Sequence, residues 1–210
     1  MEFERPRLHQ RFLYWLGVAV FWTFYKLVWR MEARGMENVP KTGGVLIASN
    51  HASNADPPFV TVNVSRQLYF FAKEELFKIP VFGWLIRQVN AFPVKRYEHD
   101  VGAFKRAQFL LEHGQAVLLF PEGRRSKDGR LGKAKPGVGM LAYKAGVPVV
   151  PVYIHNNNRL GALPKVTVTF GRPMVPPATA NEKDAYQPFS DSVLGAVAEL
   201  QAKMYNKNPT

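Results

Sequence analysis

Short apolar runs bounded by turn-forming residues alternate with amphipathic stretches along most of this chain, a pattern that predicts strands alternating with helices. Residues 43–48 (Gly-Gly-Val-Leu-Ile-Ala), 116–120 (Ala-Val-Leu-Leu-Phe) and 149–154 read as buried strands, with 67–71 and 166–170 completing the set. Residues 90–94 are extended, because Pro93 disfavours helix before it. Helix is predicted for 59–64 after Pro57 and Pro58, which a first turn tolerates. A second helix is predicted to start at 72–77, break at Pro80 and resume through 82–87. A third runs from Asp100, its cap, to His113, with Phe104, Ala107 and Leu111 as its apolar face and Gly114 as its stop. Residues 137–145 form another, and in the last Val193, Val197, Leu200 and Met204 make one buried stripe. Residues 35–43, with Pro40 and two closing glycines, read as the connection into the main domain. The expected fold is α/β, a mixed central sheet flanked by helices.

The N-terminal run 12–25 is different, being apolar and rich in aromatic residues. As a helix it would be roughly 21 Å long, or about 27 Å if extended to Trp29, against a bilayer core of about 30 Å. Trp15, Trp22, Trp29, Tyr14 and Tyr25 suit the headgroup boundary, and flanking arginines suit anionic lipid. The expectation is a membrane-associated helix lying in, or dipping into, one leaflet. The other possibility is a helix buried in the protein's own core. No small-residue cleavage site follows the run, which disfavours a signal peptide.

Composition narrows the chemistry. The 210 residues carry 28 Lys+Arg against 16 Asp+Glu, a formal charge of +12, which implies an anionic partner. Arg124, Arg125, Lys127, Arg130, Lys133 and Lys135 stand against Asp128 alone, so positive charge is concentrated in one loop. Cysteine is absent, which excludes disulfides, thiolate metal sites and an acyl-cysteine intermediate.

The candidate chemistry centres on Ser49-Asn50-His51-Ala52-Ser53-Asn54-Ala55-Asp56, at the end of the first predicted buried strand. A neutral imidazole can take a proton from an alcohol, and a carboxylate on its other nitrogen fixes the tautomer. Residues five apart point about 140° apart on a regular helix, so His51 and Asp56 meet only if the segment turns. The bland alternative is a polar helix cap with a satisfied histidine. A second strand delivers Pro121-Glu122-Gly123-Arg124-Arg125-Ser126, where glycine admits a close ligand and arginine can fork onto phosphate. Gly137-Val-Gly139 formally matches a dinucleotide fingerprint, but no strand precedes it. The five histidines form no metal-spaced pair on one helix.

In combination these blocks resemble the membrane acyltransferases of glycerophospholipid synthesis, typified by the bacterial 1-acylglycerol-3-phosphate acyltransferases. The resemblance runs from about Gly43 to Gly171. Asn50-His51-Ala52-Ser53-Asn54-Ala55-Asp56 is similar to the N-H-x-S-x-x-D block, and Ala91-Phe92-Pro93-Val94-Lys95-Arg96 to the second block. Phe120-Pro121-Glu122-Gly123-Arg124-Arg125-Ser126 is similar to F-P-E-G-T-R-S, and Val147-Pro148-Val149-Val150-Pro151-Val152 to the proline block. Lys73-Glu74-Glu75-Leu76 with Pro80-Val81-Phe82-Gly83 is similar to a further segment. Asn90 stands where the second block often has glycine, and Arg124 where the third has threonine.

The resemblance implies direct acyl transfer from acyl-CoA or acyl-carrier protein to the 2-hydroxyl of 1-acylglycerol 3-phosphate. His51 would be the base and Asp56 its orienting carboxylate. Lys73, Arg96 and Arg125 would bind the acceptor phosphate, with Glu122 and Gly123 completing the substrate site. It implies no metal and no cofactor, and a place on the cytoplasmic face of the cell membrane. It also divides the chain into an N-terminal segment, residues 1–35, and a catalytic domain, 36–210. Partners would be lysophosphatidate, the acyl donor, anionic lipid and the carrier protein. Two rivals stand beside this reading. One keeps the chemistry but changes the acceptor to a lyso-ornithine lipid, another lysophospholipid or glycerol 3-phosphate. The other is a basic peripheral-membrane protein without catalysis. Nucleic acid is disfavoured, because the aromatics do not interleave with the basic loop as a stacking surface requires.

Overall fold

The computed structural model describes residues 8–95, 100–179 and 181–207. The chain begins with α1 (Leu8–Val28), β1 (Glu32–Arg34), β2 (Val45–Ser49), α2 (Asp56–Thr61) and β3 (Leu68–Lys73). It continues through α3 (Pro80–Gln88), β4 (Ala91–Val94), α4 (Val101–Glu112), β5 (Ala116–Leu119) and α5 (Gly137–Ala145). It closes with β6 (Val149–His155), β7 (Thr167–Phe170) and α6 (Glu182–Lys207). Among the described residues the seven strands form one sheet in the order β1-β7-β6-β2-β5-β3-β4. Every neighbouring pair is parallel except β6 with β7, so the sheet is mixed, as the pattern predicts.

Alternation along β2 sorts the core into two halves. Val45 and Ile47 face α1, α2 and α3, packing with Tyr25, Phe59, Val60 and Ile86. Leu46 and Ala48 face α4, α5 and α6, packing with Ala107, Leu111, Leu141, Phe189 and Val193. A strand covered on both faces has no polar side to show, which is why Val45–Ser49 is buried throughout. Because β2 to β6 run the same way, their C-terminal ends lie at one edge of the sheet, where ligand sites of open α/β sheets form.

Several expected boundaries shift. Ala72 and Lys73 do not start a helix; they extend β3, pairing with Pro93 and Val94. A short 3-10 helix, Glu74–Lys78, follows before α3 opens on Pro80. Helix α2 ends at Thr61, short of residue 64. The stretch before the connection contains β1, an edge strand parallel to β7, so residues 32–34 join the main sheet. Helix α6 starts at Glu182, well before its apolar stripe, and carries Pro188 inside. Helix α1 divides its faces: Tyr14 and Tyr25 are buried while Phe12, Leu16, Val20 and Leu27 are exposed. The expectation of a helix buried in the protein's own core therefore holds for one face, while the other is open to solvent. Among the described residues no helix is long and apolar enough to cross a membrane.

The glycines of the false dinucleotide fingerprint serve packing. A Cβ on Gly139 of α5 would lie 2.0 Å from the Tyr186 carbonyl oxygen of α6, and the Gly139 N–H donates to Ser190 Oγ at 2.8 Å. Gly139→Ala should therefore destabilise the fold by about 1–3 kcal/mol, the usual cost of overpacking. Gly195→Ala, with nothing within 4 Å, should stabilise α6 by about 0.5–1 kcal/mol; denaturant unfolding of both variants checks the pair. Asp100 supplies a pH test. Its carboxylate accepts from the Lys95 and Ala103 N–H groups, each at 2.9 Å, and these bonds hold its pKa below the ordinary 3.8. A lowered carboxyl stabilises the fold above its unfolded pKa and loses that contribution as pH falls through the native one. Asp100→Ala should cost about 1 kcal/mol at neutral pH, and its deficit should shrink as the pH drops below 3.8.

Candidate active site

At the end of β2 the chain must leave the sheet, and the Asn50 side chain governs how. Its Nδ2 donates to the Ile154 carbonyl at 3.1 Å and its Oδ1 accepts from the Ile154 N–H at 2.8 Å. The amide thus continues the β2–β6 ladder by one step after the backbone has turned away. Residues 52–55 then turn tightly, with the Ala55 N–H on Ser53 Oγ at 3.1 Å. Asp56, the first residue of α2, points back into that turn. Its Oδ2 accepts from the N–H groups of Ala52 (2.7 Å) and Ser53 (2.8 Å) and lies 2.8 Å from His51 Nδ1. This turn brings together two side chains that a regular helix would hold apart.

Asp56 is fully buried. A carboxylate there is tolerable only with its lone pairs occupied, and they are. With Nδ1 against the carboxylate, the neutral imidazole carries its proton on that nitrogen, which leaves Nε2 as the basic one. Nε2 has no hydrogen-bond partner among the described residues. The ring stacks on Phe120 at the end of β5, centroids 3.9 Å apart and planes 14° from parallel, so its orientation is fixed on two sides.

The backbone of His51 is clamped by the neighbouring block. Glu122 Oε1 accepts from the His51 N–H at 3.3 Å, and the Ser126 N–H donates to the His51 carbonyl at 2.7 Å. The other Glu122 oxygen, Oε2, accepts from the Gly132 N–H at 2.9 Å. Glu122 is buried and both its oxygens serve main-chain donors. Gly123 adopts φ +67, and a Cβ on it would lie 3.0 Å from Cδ of Lys135. The glycine therefore lets the turn close while the Lys135 chain passes over it. Ser126 Oγ donates to Asp128 Oδ1 at 2.9 Å, which orders the basic loop beyond.

Lys73 ends β3 at the same edge of the sheet, half-buried. Arg125 is exposed and has no ion pair among the described residues. Arg96 lies outside the described residues; β4, which leads to it, ends at Val94. No group of three or more His, Asp or Glu residues able to hold a metal occurs among the described residues.

One participant escaped the sequence reading. Asn157, two residues past β6, donates from Nδ2 to Asp56 Oδ1 at 3.0 Å and is buried. Its only signal was the run Asn156-Asn157-Asn158 after a buried strand, polar residues at a C-terminal strand end. The buried dyad and its backbone clamps thus lie at the C-terminal edge of the open α/β sheet, beside an exposed basic loop.

Comparison with known proteins gives the class. The acyltransferase family's sequence profile matches residues 30–155, and the chain belongs to that family. It is 35% identical over 149 residues to a chloroplastic 1-acyl-sn-glycerol-3-phosphate acyltransferase of Brassica napus, covering 70% of this chain and 42% of that one. It is 32% identical over 145 residues to the 1-acyl-sn-glycerol-3-phosphate acyltransferase of Pseudomonas aeruginosa, covering 68% and 55%. The matched stretch thus spans roughly half the length of these curated relatives. The crystal structure of the 1-acyl-sn-glycerophosphate acyltransferase PlsC from Thermotoga maritima superposes with a TM-score of 0.70 at 30% identity, covering 92% of this chain and 80% of that one.

The amide of Asn50 yields a stability test of the site's frame. Asn50→Ala strands the Ile154 N–H and carbonyl, both buried, at about 1–3 kcal/mol for each group. Equilibrium unfolding in urea should show that loss; an unchanged midpoint would mean that the ladder extension does not hold the loop.

Proposed function

We propose that the chain transfers a fatty acyl group from a thioester donor, acyl-CoA or acyl-carrier protein, to the 2-hydroxyl of 1-acylglycerol 3-phosphate. The observation that carries this reading is the 2.8 Å contact of His51 Nδ1 with the buried Asp56 carboxylate, which leaves Nε2 as the base. The relatives' names supply the acceptor.

His51 Nε2 takes the proton of the acceptor hydroxyl as its oxygen attacks the thioester carbonyl, and Asp56 stabilises the imidazolium so formed. The tetrahedral intermediate collapses with cleavage of the carbon–sulfur bond. The same proton then passes from Nε2 to the departing thiolate, so imidazole returns to its starting state. Such general-base assistance is worth about 10²–10⁴-fold. Asn157 acts through Asp56, holding the carboxylate toward the ring. Glu122 acts through the His51 main chain. Lys73, Arg96 and Arg125 bind the acceptor phosphate, with Gly123 admitting it to the loop, and no metal or cofactor takes part. Helix α1 seats the protein on the cytoplasmic face of the cell membrane and forms the membrane segment, while β1 and the residues after it belong to the catalytic domain.

Incubation of detergent-solubilised protein with 1-acylglycerol 3-phosphate and either donor, read by mass, tests the reaction. His51→Ala should lower kcat by about 10²–10⁴-fold in a protein that still folds, with a lower unfolding midpoint because the buried Asp56 carboxylate loses one of its four donors. Full turnover by that variant would remove the base. Arg125→Ala should chiefly raise the KM for the acceptor, since a phosphate contact is made in ground and transition states alike. A loss confined to kcat would argue against the phosphate role.

A further inference from the structure

Helix α3 turns its apolar residues away from the protein. Ile79 at its cap and Val81, Phe82, Trp84 and Leu85 within it are 40 to 79% exposed, whereas Gly83 and Ile86 are buried. Helix α1, which packs against α3, is exposed in the same way at Phe12, Leu16, Val20, Trp22 and Leu27. Gly17 of α1 is the close-approach point, its Cβ position being 3.7 Å from Val89 just past α3. Two packed helices that both expose large apolar side chains mark an interaction site.

Charge identifies the occupant. Neither α1 nor α3 contains a single Asp or Glu. Arg11, Lys26 and Arg87 lie on them, and Lys78 just before α3, all exposed. Lys78 is 3.9 Å from Glu74, and Arg87 lies over the Phe77 ring at 5.1 Å. An apolar face with exposed indoles, basic residues on the same helices and no carboxylate on either helix fits an anionic lipid surface. A second copy of the chain would bring the same basic face and repel.

We infer that α3 adds a second lipid-contact element beside α1, and that it lies in the headgroup region of an anionic leaflet. Only the relation to the acceptor headgroup rests on the acyl-transfer reading. The placement follows from connectivity: through the 3-10 helix, the start of α3 follows β3, which ends at Lys73, and because β3 and β4 are parallel the helix then runs back to the other edge, where β4 begins. The start of a helix seated in the leaflet is therefore joined through a few residues to Lys73, a cation proposed for the acceptor phosphate. The headgroup of an acceptor still in the leaflet would stand at the level of that strand end.

The chain has no cysteine, so Val81→Cys creates a single thiol for an environment-sensitive fluorophore. Vesicles of phosphatidylglycerol and phosphatidylcholine should shift that label's emission to the blue and raise its intensity several-fold. The same label at Lys203→Cys, on the exposed side of α6, should not respond. Val81→Glu with Trp84→Glu should weaken vesicle co-sedimentation by roughly tenfold or more, with turnover of a short-chain, monomeric acceptor unchanged. A label on Val81→Cys that stays in water while one on Leu16→Cys enters the lipid would overturn the inference and leave α1 alone as the contact. So would a response that follows protein concentration without vesicles, which would assign the face to a second copy. Failure of the parent chain to turn over any acceptor would count against acyl transfer and leave the vesicle result standing.

Discussion

A buried carboxylate sets the terms for this fold. Asp56 has no exposed surface, and removing an ion from water costs several kcal/mol even after relaxation. The cost is offset by four donors: the imidazole of His51, the amides of Ala52 and Ser53, and the side chain of Asn157. These come from the loop after β2 and the loop after β6, while the carboxylate belongs to the first turn of α2. Three segments are thereby held to one point by a charge that none of them could bury alone. The donors also differ in what they demand of the sequence. Ala52 contributes only a backbone N–H group, so its side chain is free to vary, whereas Ser53 also closes the turn through its Oγ and His51 and Asn157 donate from their side chains.

Strand order then decides what can reach that point. With β2 between β5 and β6, the loops after those strands flank His51, one supplying Glu122 and the Phe120 ring, the other Asn157. β3 and β4 run the same way and place Lys73 and the approach to residue 96 farther along the same edge. β7 runs oppositely and β1 follows it, so their C-terminal ends lie at the opposite edge. Glu122 ties two of these loops together through main-chain donors, so a shift in the basic loop would be felt at the His51 amide. The site is a product of sheet polarity more than of any one motif.

Sequence reading recovered what depends on local pattern. The strands around β2, the Asp100 cap, α5 and the His51–Asp56 segment all leave a signature within a few residues, in apolar runs, a capping residue or a turn-rich stretch. It missed what is settled at a distance. β1 has only three residues, Glu-Ala-Arg, and pairs with a strand more than a hundred positions on. Asn157 meets Asp56 across 101 positions, and nothing in its own neighbourhood distinguishes it from Asn156 or Asn158. The start of α6 was hidden because its first turns are polar and include Pro188. In β3 the strand outlasted its apolar run because Ala72 and Lys73 still find partners in β4.

Helix α3 marks the limit of periodicity as a guide. An apolar stripe is ordinarily taken to face the core, yet here the core receives little besides Ile86. Gly83 explains how the helix stays attached: a Cβ there would lie 2.5 Å from the Phe77 carbonyl, so the bare backbone packs flat on the preceding turn. Attachment through backbone rather than through a buried stripe leaves the large side chains to face outward. The stripe reports that a helix face needs an apolar environment, but the supplier of that environment is decided by where the sheet's connections put the helix. Here the connection leaves β3 at Lys73, on the site edge, and returns to the start of β4 at the other edge, so the outward apolar face begins within a few residues of the site edge.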